Sequence, residues 1–227
     1  MDSAPAAAGA DFLYAMNVIL YDLDGTLADT RGDLAESVNH ARVSLGLAPL
    51  ALEEIIPGVG NGVRKLIERS IPERPDAIDG ATAAMVAYYA EHPVVHTALY
   101  PGVAETLAAF RDAGWRQAVV TNKLATLSRP ILRKLGVLHY FDAVVGGESC
   151  PAMKPDPAPL FAAIEEACGG VRAGNAWMAG DNVTDLEAAR RASIRSCFCR
   201  FGFGDPRGEK WDLAVDSFGG ILSILSM

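Results

Sequence analysis

From Tyr100 onward, short apolar runs alternate with stretches in which apolar residues recur every three or four positions. That alternation admits few architectures. Residues 117–121, 143–145, 176–179 and 194–199 read as buried strands, and 212–215 as a short edge strand. Residues 103–113, 124–135, 159–168, 186–192 and 218–225 read as helices, with Gly114, Gly136 and Gly169 as stops after the first three. Strand and helix in strict alternation predict an α/β fold, a Rossmann-like parallel sheet with helices on both faces. One further strand belongs to the set and lies far upstream, at residues 18–21 (Val-Ile-Leu-Tyr).

Residues 30–97 separate that first strand from the rest and contain no strand signal of their own. Helical periodicity covers 34–45, where Asp29 or Thr30 is a candidate cap and Gly46 the stop. It returns at about 52–56, again from Val63 to just before Pro72, and at 77–89. A helical excursion of this size is far longer than an ordinary crossover. The expected organisation is therefore a leader at 1–16, a core made of 17–29 and 98–227, and a small all-helical cap inserted at 30–97. The leader is Ala-rich and lacks a basic residue, so it reads as disordered and is a poor signal peptide.

A net charge of −8 argues against nucleic acid as a partner. It leaves small phosphate esters open, because a metal and a lysine can reverse the field inside a cleft. No apolar stretch reaches the ~18 residues of a membrane span, so no membrane partner is expected and the location read from the chain is cytoplasmic. Cys150, Cys168, Cys197 and Cys199 match neither a zinc site nor a redox pair and read as free thiols. His92 and His96 have helical spacing, but Pro93 between them argues against a helix. All four histidines read as surface or packing residues.

Polar groups collect where the apolar runs end. Asp22 and Asp24 leave the first strand on the same side, two residues apart. Two carboxylates so close repel unless a cation lies between them; the other reading is a solvated turn or a pair of helix caps. Thr121-Asn122-Lys123, Lys154-Pro155 and Gly180-Asp181-Asn182-Val183-Thr184-Asp185 follow three more strands. Singly these read as a cap, a loop and a turn. Together they bring polar side chains to one edge of one sheet, where open α/β sheets bind ligands. Asp22, Asp181 and Asp185 can share a Mg²⁺ ion with the Asp24 carbonyl. A threonine hydroxyl and a lysine ammonium can hold phosphoryl oxygens. Asp22 could then serve as nucleophile and Asp24 as acid and base.

Asp22-Leu23-Asp24-Gly25-Thr26-Leu27, Thr121-Asn122-Lys123, Lys154-Pro155 and Gly180-Asp181-Asn182-x-x-Asp185 resemble the four motifs of the haloacid dehalogenase superfamily, in order and spacing. The resemblance implies that Asp22 is the nucleophile, Asp24 the general acid and base, and Thr121 and Lys154 the phosphoryl binders. It implies Mg²⁺ ligands in Asp22, Asp24 and Asp181, supported by Asp185. The second aspartate, Asp24, points away from the dehalogenase branch. Within the superfamily, residues 57–66, 100–103, 120–123 and 145–148 resemble phosphoglycolate phosphatases. The implied partner is a small phosphorylated metabolite, and the implied activity is hydrolysis of 2-phosphoglycolate by a monomer or homodimer. Substrate-binding candidates are Thr121, Asn122, Lys154 and Arg64. Arg64 either grips a carboxylate or lies on a solvated helix face. The alternatives are a phosphatase or mutase for a sugar phosphate, a nucleotide or pyrophosphate, and a phosphoacceptor signalling module.

Overall fold

The computed structural model describes residues 16–170 and 173–227. The expected leader lies outside the described residues except for Met16, which already belongs to the first strand.

Six parallel strands make the central sheet: β1 (Met16–Tyr21), β4 (Arg116–Val120), β5 (Ala143–Val145), β6 (Ala173–Gly180), β7 (Arg195–Cys199) and β8 (Leu213–Val215). Their order is β5-β4-β1-β6-β7-β8. The chain builds outward from β1 on one side, then returns to build the other. β1 is thus the point where strand order reverses, and the crevice at its carboxyl end is where such sheets take ligands. Leu20 of β1 sits opposite both Ala118 and Met178, so the ends of β1, β4 and β6 are level.

Both faces of the sheet are covered, which is why its strands are apolar without alternation. On one face Ile19, Val119 and Trp177 pack against Leu107 and Phe110 of α5 (Val103–Asp112) and Ile221 of a C-terminal 3₁₀ helix (Phe218–Ser226). On the other, Leu20, Ala118 and Met178 meet Leu160 and Ala163 of α7 (Ala158–Cys168) and Ala188 and Ala189 of α8 (Val183–Ala192). Each fully buried leucine or phenylalanine contributes about 1.5–3 kcal/mol.

Four helices lie between β1 and β4 in sequence ahead of α5: α1 (Arg31–Ser44), α2 (Leu52–Ile55), α3 (Val63–Ser70) and α4 (Ile78–Glu91). Leu34 and Val38 of α1, Leu66 and Ile67 of α3, and Met85 and Tyr89 of α4 form a third apolar core. It runs on to Leu127 and Ile131 of α6 (Ala125–Lys134), so the helical block rests on that helix. Where the chain enters and leaves the block, β2 (Ala28–Asp29) pairs antiparallel with β3 (Ala98–Leu99). Two residues a side are too few for a periodic signal, and the sequence reading does not contain this ladder. Asp33, buried at the start of α1, accepts N–H bonds from Val95, His96 and Thr97 and the Thr97 hydroxyl, which fastens the same neck.

Two local expectations are corrected. Thr30 does not cap α1 in the expected way, whereas Asp29 Oδ1 accepts the N–H of Arg31, the first residue of the helix, at 3.2 Å. Thr30 stands at the cap position with no side-chain cap bond, and its hydroxyl donates instead to Asp24 at 2.6 Å. The Asp29 carboxylate is a clamp for the Arg31 guanidinium. α8 begins three residues earlier than its periodicity indicates, because Asn182 and Asp185 form a capping box there. The four cysteines are free, three of them buried.

Candidate active site

The turn after β1 carries the first two carboxylates. The Asp22 N–H donates to the Ala179 carbonyl at 2.9 Å, which extends the ladder by one residue and fixes Asp22 at the lip of the sheet. Gly25 then takes φ +84°, and a Cβ there would stand 2.0 Å from an Asp181 oxygen. Only glycine meets both demands. The turn therefore closes onto the carboxylate delivered by β6.

Asp22, Asp181 and Asp185 are all buried, and one oxygen of each lies within 4.8 Å of the others. Each is held differently. Asp181 Oδ2 accepts the N–H groups of Phe203 and Gly204 at 3.0 and 2.7 Å. Asp185 Oδ2 accepts the Asn182 N–H, while its Oδ1 takes the Lys154 ammonium at 2.7 Å. Asp22 Oδ1 lies 3.1 Å from the same ammonium, without hydrogen-bonding alignment. Lys154 also donates to the Val120 carbonyl at the end of β4.

The charges act on one another through a medium of low polarity. Burial pushes the Asp22 carboxyl up to about 6; Asp185 and Asp24 push the same way, and Lys154 opposes them. Burial, then Asp185 and Asp22, hold Asp181 well above the carboxylate range. For Lys154, burial opposes the charge, but Asp185 and Asp22 outweigh it and raise its pKa. One lysine is thus set against three carboxylates. The site retains an excess of hard, negative oxygen donors, which is the donor set a divalent cation such as Mg²⁺ takes.

Asp24 is held apart from this cluster. Lys123 donates to its two oxygens at 2.7 and 2.9 Å, and Thr30 to Oδ1. Sequence reasoning gave Lys123 no task. Burial alone would lower the Lys123 pKa, but Asp24 and Tyr89 raise it well above the ordinary value. The Lys123 ammonium sits 4.7 Å from the centroid of the Tyr89 ring.

The structure brings Asp22, Asp24, Thr121, Asn122, Lys123 and Lys154 to one pocket of about 40 Å³, roofed by residues of the helical block. The Thr121 N–H donates to Val145, which leaves its hydroxyl at the end of β4 to accept a bond from the Lys123 N–H at 3.3 Å. Asn122 lines the pocket, but its amide nitrogen donates to the carbonyls of Gly60 and Lys154, both at 2.8 Å. It thereby also ties the block to the core. Arg64 is not among the lining residues. Gly62 takes φ +86° and α3 begins at Val63, so Val63 and Leu66 face the pocket. Arg64, one position on from Val63, turns away, more than half exposed, and pairs with Glu68 and Asp79. Of its two readings, the structure has the solvated helix face. A tyrosine was missed: Tyr89 lines the pocket, buried, with its hydroxyl unpartnered. Burial pushes that hydroxyl up to about 12, Lys123 pulling the other way. The four-residue spacing of Ala81, Met85 and Tyr89 is the signal that could have found it.

A parallel sheet with an acid cluster, one shared lysine and a second aspartate at its switch point defines a class of hydrolase. Residues 19–199 match the model of that class, described as haloacid dehalogenase-like hydrolase, and the chain belongs to this family. Among its relatives are phosphoglycolate phosphatases. The chain is 39% identical over 213 residues to the phosphoglycolate phosphatase of Nitrosospira multiformis, covering 91% of this chain and 92% of that one. It is 37% identical over 213 residues to that of Agrobacterium fabrum, covering 91% of each. The crystal structure of a protein described as a predicted phosphoglycolate phosphatase from Haemophilus somnus superposes with a TM-score of 0.84 at 30% identity, covering 92% of this chain and 97% of that one. Among the described residues, no helix is long and apolar enough to cross a membrane.

Proposed function

We propose that this chain is a Mg²⁺-dependent phosphomonoesterase that converts 2-phosphoglycolate to glycolate and phosphate through an aspartyl-phosphate on Asp22. The observation that carries the reading is the cluster of Asp22, Asp181 and Asp185, two of them on the single Lys154 ammonium, with Asp22, Asp24 and Lys154 lining one pocket. Asp22, Asp181 and Asp185 would hold the metal, with the Asp24 carbonyl. When bound, the ion would withdraw charge from the phosphoryl oxygens and screen Asp22 from them.

The chain's own groups supply the rest. An Asp22 oxygen attacks phosphorus, the bond to the ester oxygen breaks, and Asp24 gives that leaving oxygen its proton. Lys154 and the Thr121 hydroxyl hold phosphoryl oxygens. Water then attacks phosphorus, Asp24 takes back a proton, and phosphate leaves with Asp22 restored. Lys123 and Thr30 keep the Asp24 carboxylate beside the path of both proton transfers. The 30–97 block acts as a cap. A space of about 40 Å³ holds a few waters, so an ester enters when the cap swings away, with hinges near 28–32 and 97–102.

The test is phosphate release from a panel of esters, with Mg²⁺ and with EDTA. A kcat/KM preference for 2-phosphoglycolate, lost in EDTA, supports the reading. Preference for a sugar phosphate, a nucleotide or pyrophosphate discards the substrate and keeps the chemistry. Phosphate retained on the protein without turnover would revive the phosphoacceptor alternative.

A further inference from the structure

Eight residues of the 30–97 block line the pocket: Leu34 of α1, Val59, Gly60 and Gly62 of the loop, Val63 and Leu66 of α3, and Met85 and Tyr89 of α4. Tyr89 alone among these brings a polar side chain. The core wall opposite is polar and carries the phosphoryl chemistry, so the rest of a bound ester is directed at the block. There it meets apolar carbon and one phenol.

That phenol is in an unusual position. Tyr89 is 1% exposed, and its hydroxyl has no protein partner. A buried donor left unpaired destabilises a fold, and a phenylalanine would fill the same volume without one. The ring itself is well anchored. It lies in the third apolar core, and the Lys123 ammonium stands over its face, one contact from Asp24. Tyr89 is therefore held firmly in the pocket lining, with its hydroxyl buried and unpaired.

We propose that the Tyr89 hydroxyl donates a hydrogen bond to an oxygen on the non-phosphoryl end of the substrate, and so selects oxygen-bearing esters over plain alkyl phosphates. The proposal rests on the reading of the pocket as a phosphomonoesterase site and deepens it. It assigns to α4 the discrimination first sought in Arg64. A carboxylate such as that of 2-phosphoglycolate offers the phenol a strong acceptor. An alkyl end leaves the phenol unpaired, and a site built to hydrogen-bond its ligand rejects the analogue that lacks the acceptor.

The experiment compares 2-phosphoglycolate with ethyl phosphate, which replaces the carboxylate by a methyl group, in the wild-type chain and in Tyr89→Phe. The wild-type advantage for 2-phosphoglycolate should fall on the order of tenfold in the variant, chiefly through KM. The thermal midpoint should stay level or rise, because an unpaired buried group has gone. An advantage that is unchanged overturns the proposal. So does a lowered midpoint with equal losses on both esters, which is the mark of a structural hydroxyl. If the wild type prefers a sugar phosphate, the glycolate reading fails by itself. Tyr89→Phe should then narrow the advantage of that ester over ethyl phosphate, and failure to do so overturns the Tyr89 assignment alone. A chain that hydrolyses no ester removes reading and proposal together.

Discussion

Asp22→Asn should abolish turnover and make the metal-free protein more stable at neutral pH. The asparagine keeps the volume of the aspartate and discards its charge, and Lys154 retains Asp185 and the Val120 carbonyl as partners. The size of the gain follows from the raised Asp22 pKa. Folding lifts it from 3.8 to about 6, so the folded state binds the proton more tightly than the unfolded chain does. Stability from this group is complete below about pH 4 and is lost as pH rises towards 6. Roughly two pH units at about 1.4 kcal/mol each make a loss of about 3 kcal/mol by pH 7. Asparagine, which resembles the protonated acid, does not suffer it. Urea unfolding in EDTA should therefore show the variant about 3 kcal/mol more stable at pH 7.5. The gap should shrink below about 1 kcal/mol near pH 4. Saturating Mg²⁺ should close much of the gap at pH 7.5 by stabilising the wild type. A variant no more stable than the wild type at pH 7.5, or a gap that persists in acid, would refute the account of Asp22 as a charge held against its burial.

Gly25→Ala should cost about 1–3 kcal/mol for its left-handed backbone and also displace Asp181, read as lowered stability with weakened Mg²⁺ binding by calorimetry. Unchanged metal affinity would show that the turn yields without moving Asp181. Lys123→Met leaves Asp24 without its buried partner and should cost about 3–5 kcal/mol in urea unfolding. The double variant with Asp24→Asn should cost clearly less than the two singles added; strict additivity would deny the pairing. Arg64→Ala should change stability by no more than ~0.5 kcal/mol and leave kcat/KM for 2-phosphoglycolate within about twofold. A tenfold rise in KM would return Arg64 to the substrate.

The sheet and its two helical layers were legible because both depend on periodicity, and periodicity is local. Apolar runs such as 18–21 and 117–121 state their burial on both faces directly. The acid cluster was legible for a related reason: side chains at the ends of parallel strands have few places to go. What escaped notice depends on distant partners. Thr30 has the composition of a helix cap, and only the folded chain shows its hydroxyl on Asp24. Arg64 sits in a stretch that looks like a ligand loop, yet the rotation of α3 after Gly62 decides which way it faces. Glu148 falls in the 145–148 stretch, where the sequence shows no task for it. It accepts the N–H groups of Ala125 and Thr126, and so serves the start of α6. Tyr89 falls on an apolar stripe, where a polar tip is easily read as packing.

The two-residue ladder at the neck also bears on how the chain folds. The first pairing of the central sheet, Val18 with Arg116, joins residues roughly a hundred apart, a costly loop to close. Once Asp29 lies against Ala98, the whole helical block hangs from a closed ring, and the open stretch left between Val18 and Arg116 is only about three-tenths as long. The entropy of closing β1 onto β4 then falls by about 1 kcal/mol. Early assembly of the block would thus hasten the pairing of β1 with β4. A chain in which residues 30–97 are replaced by a short linker would inherit the same advantage without the block.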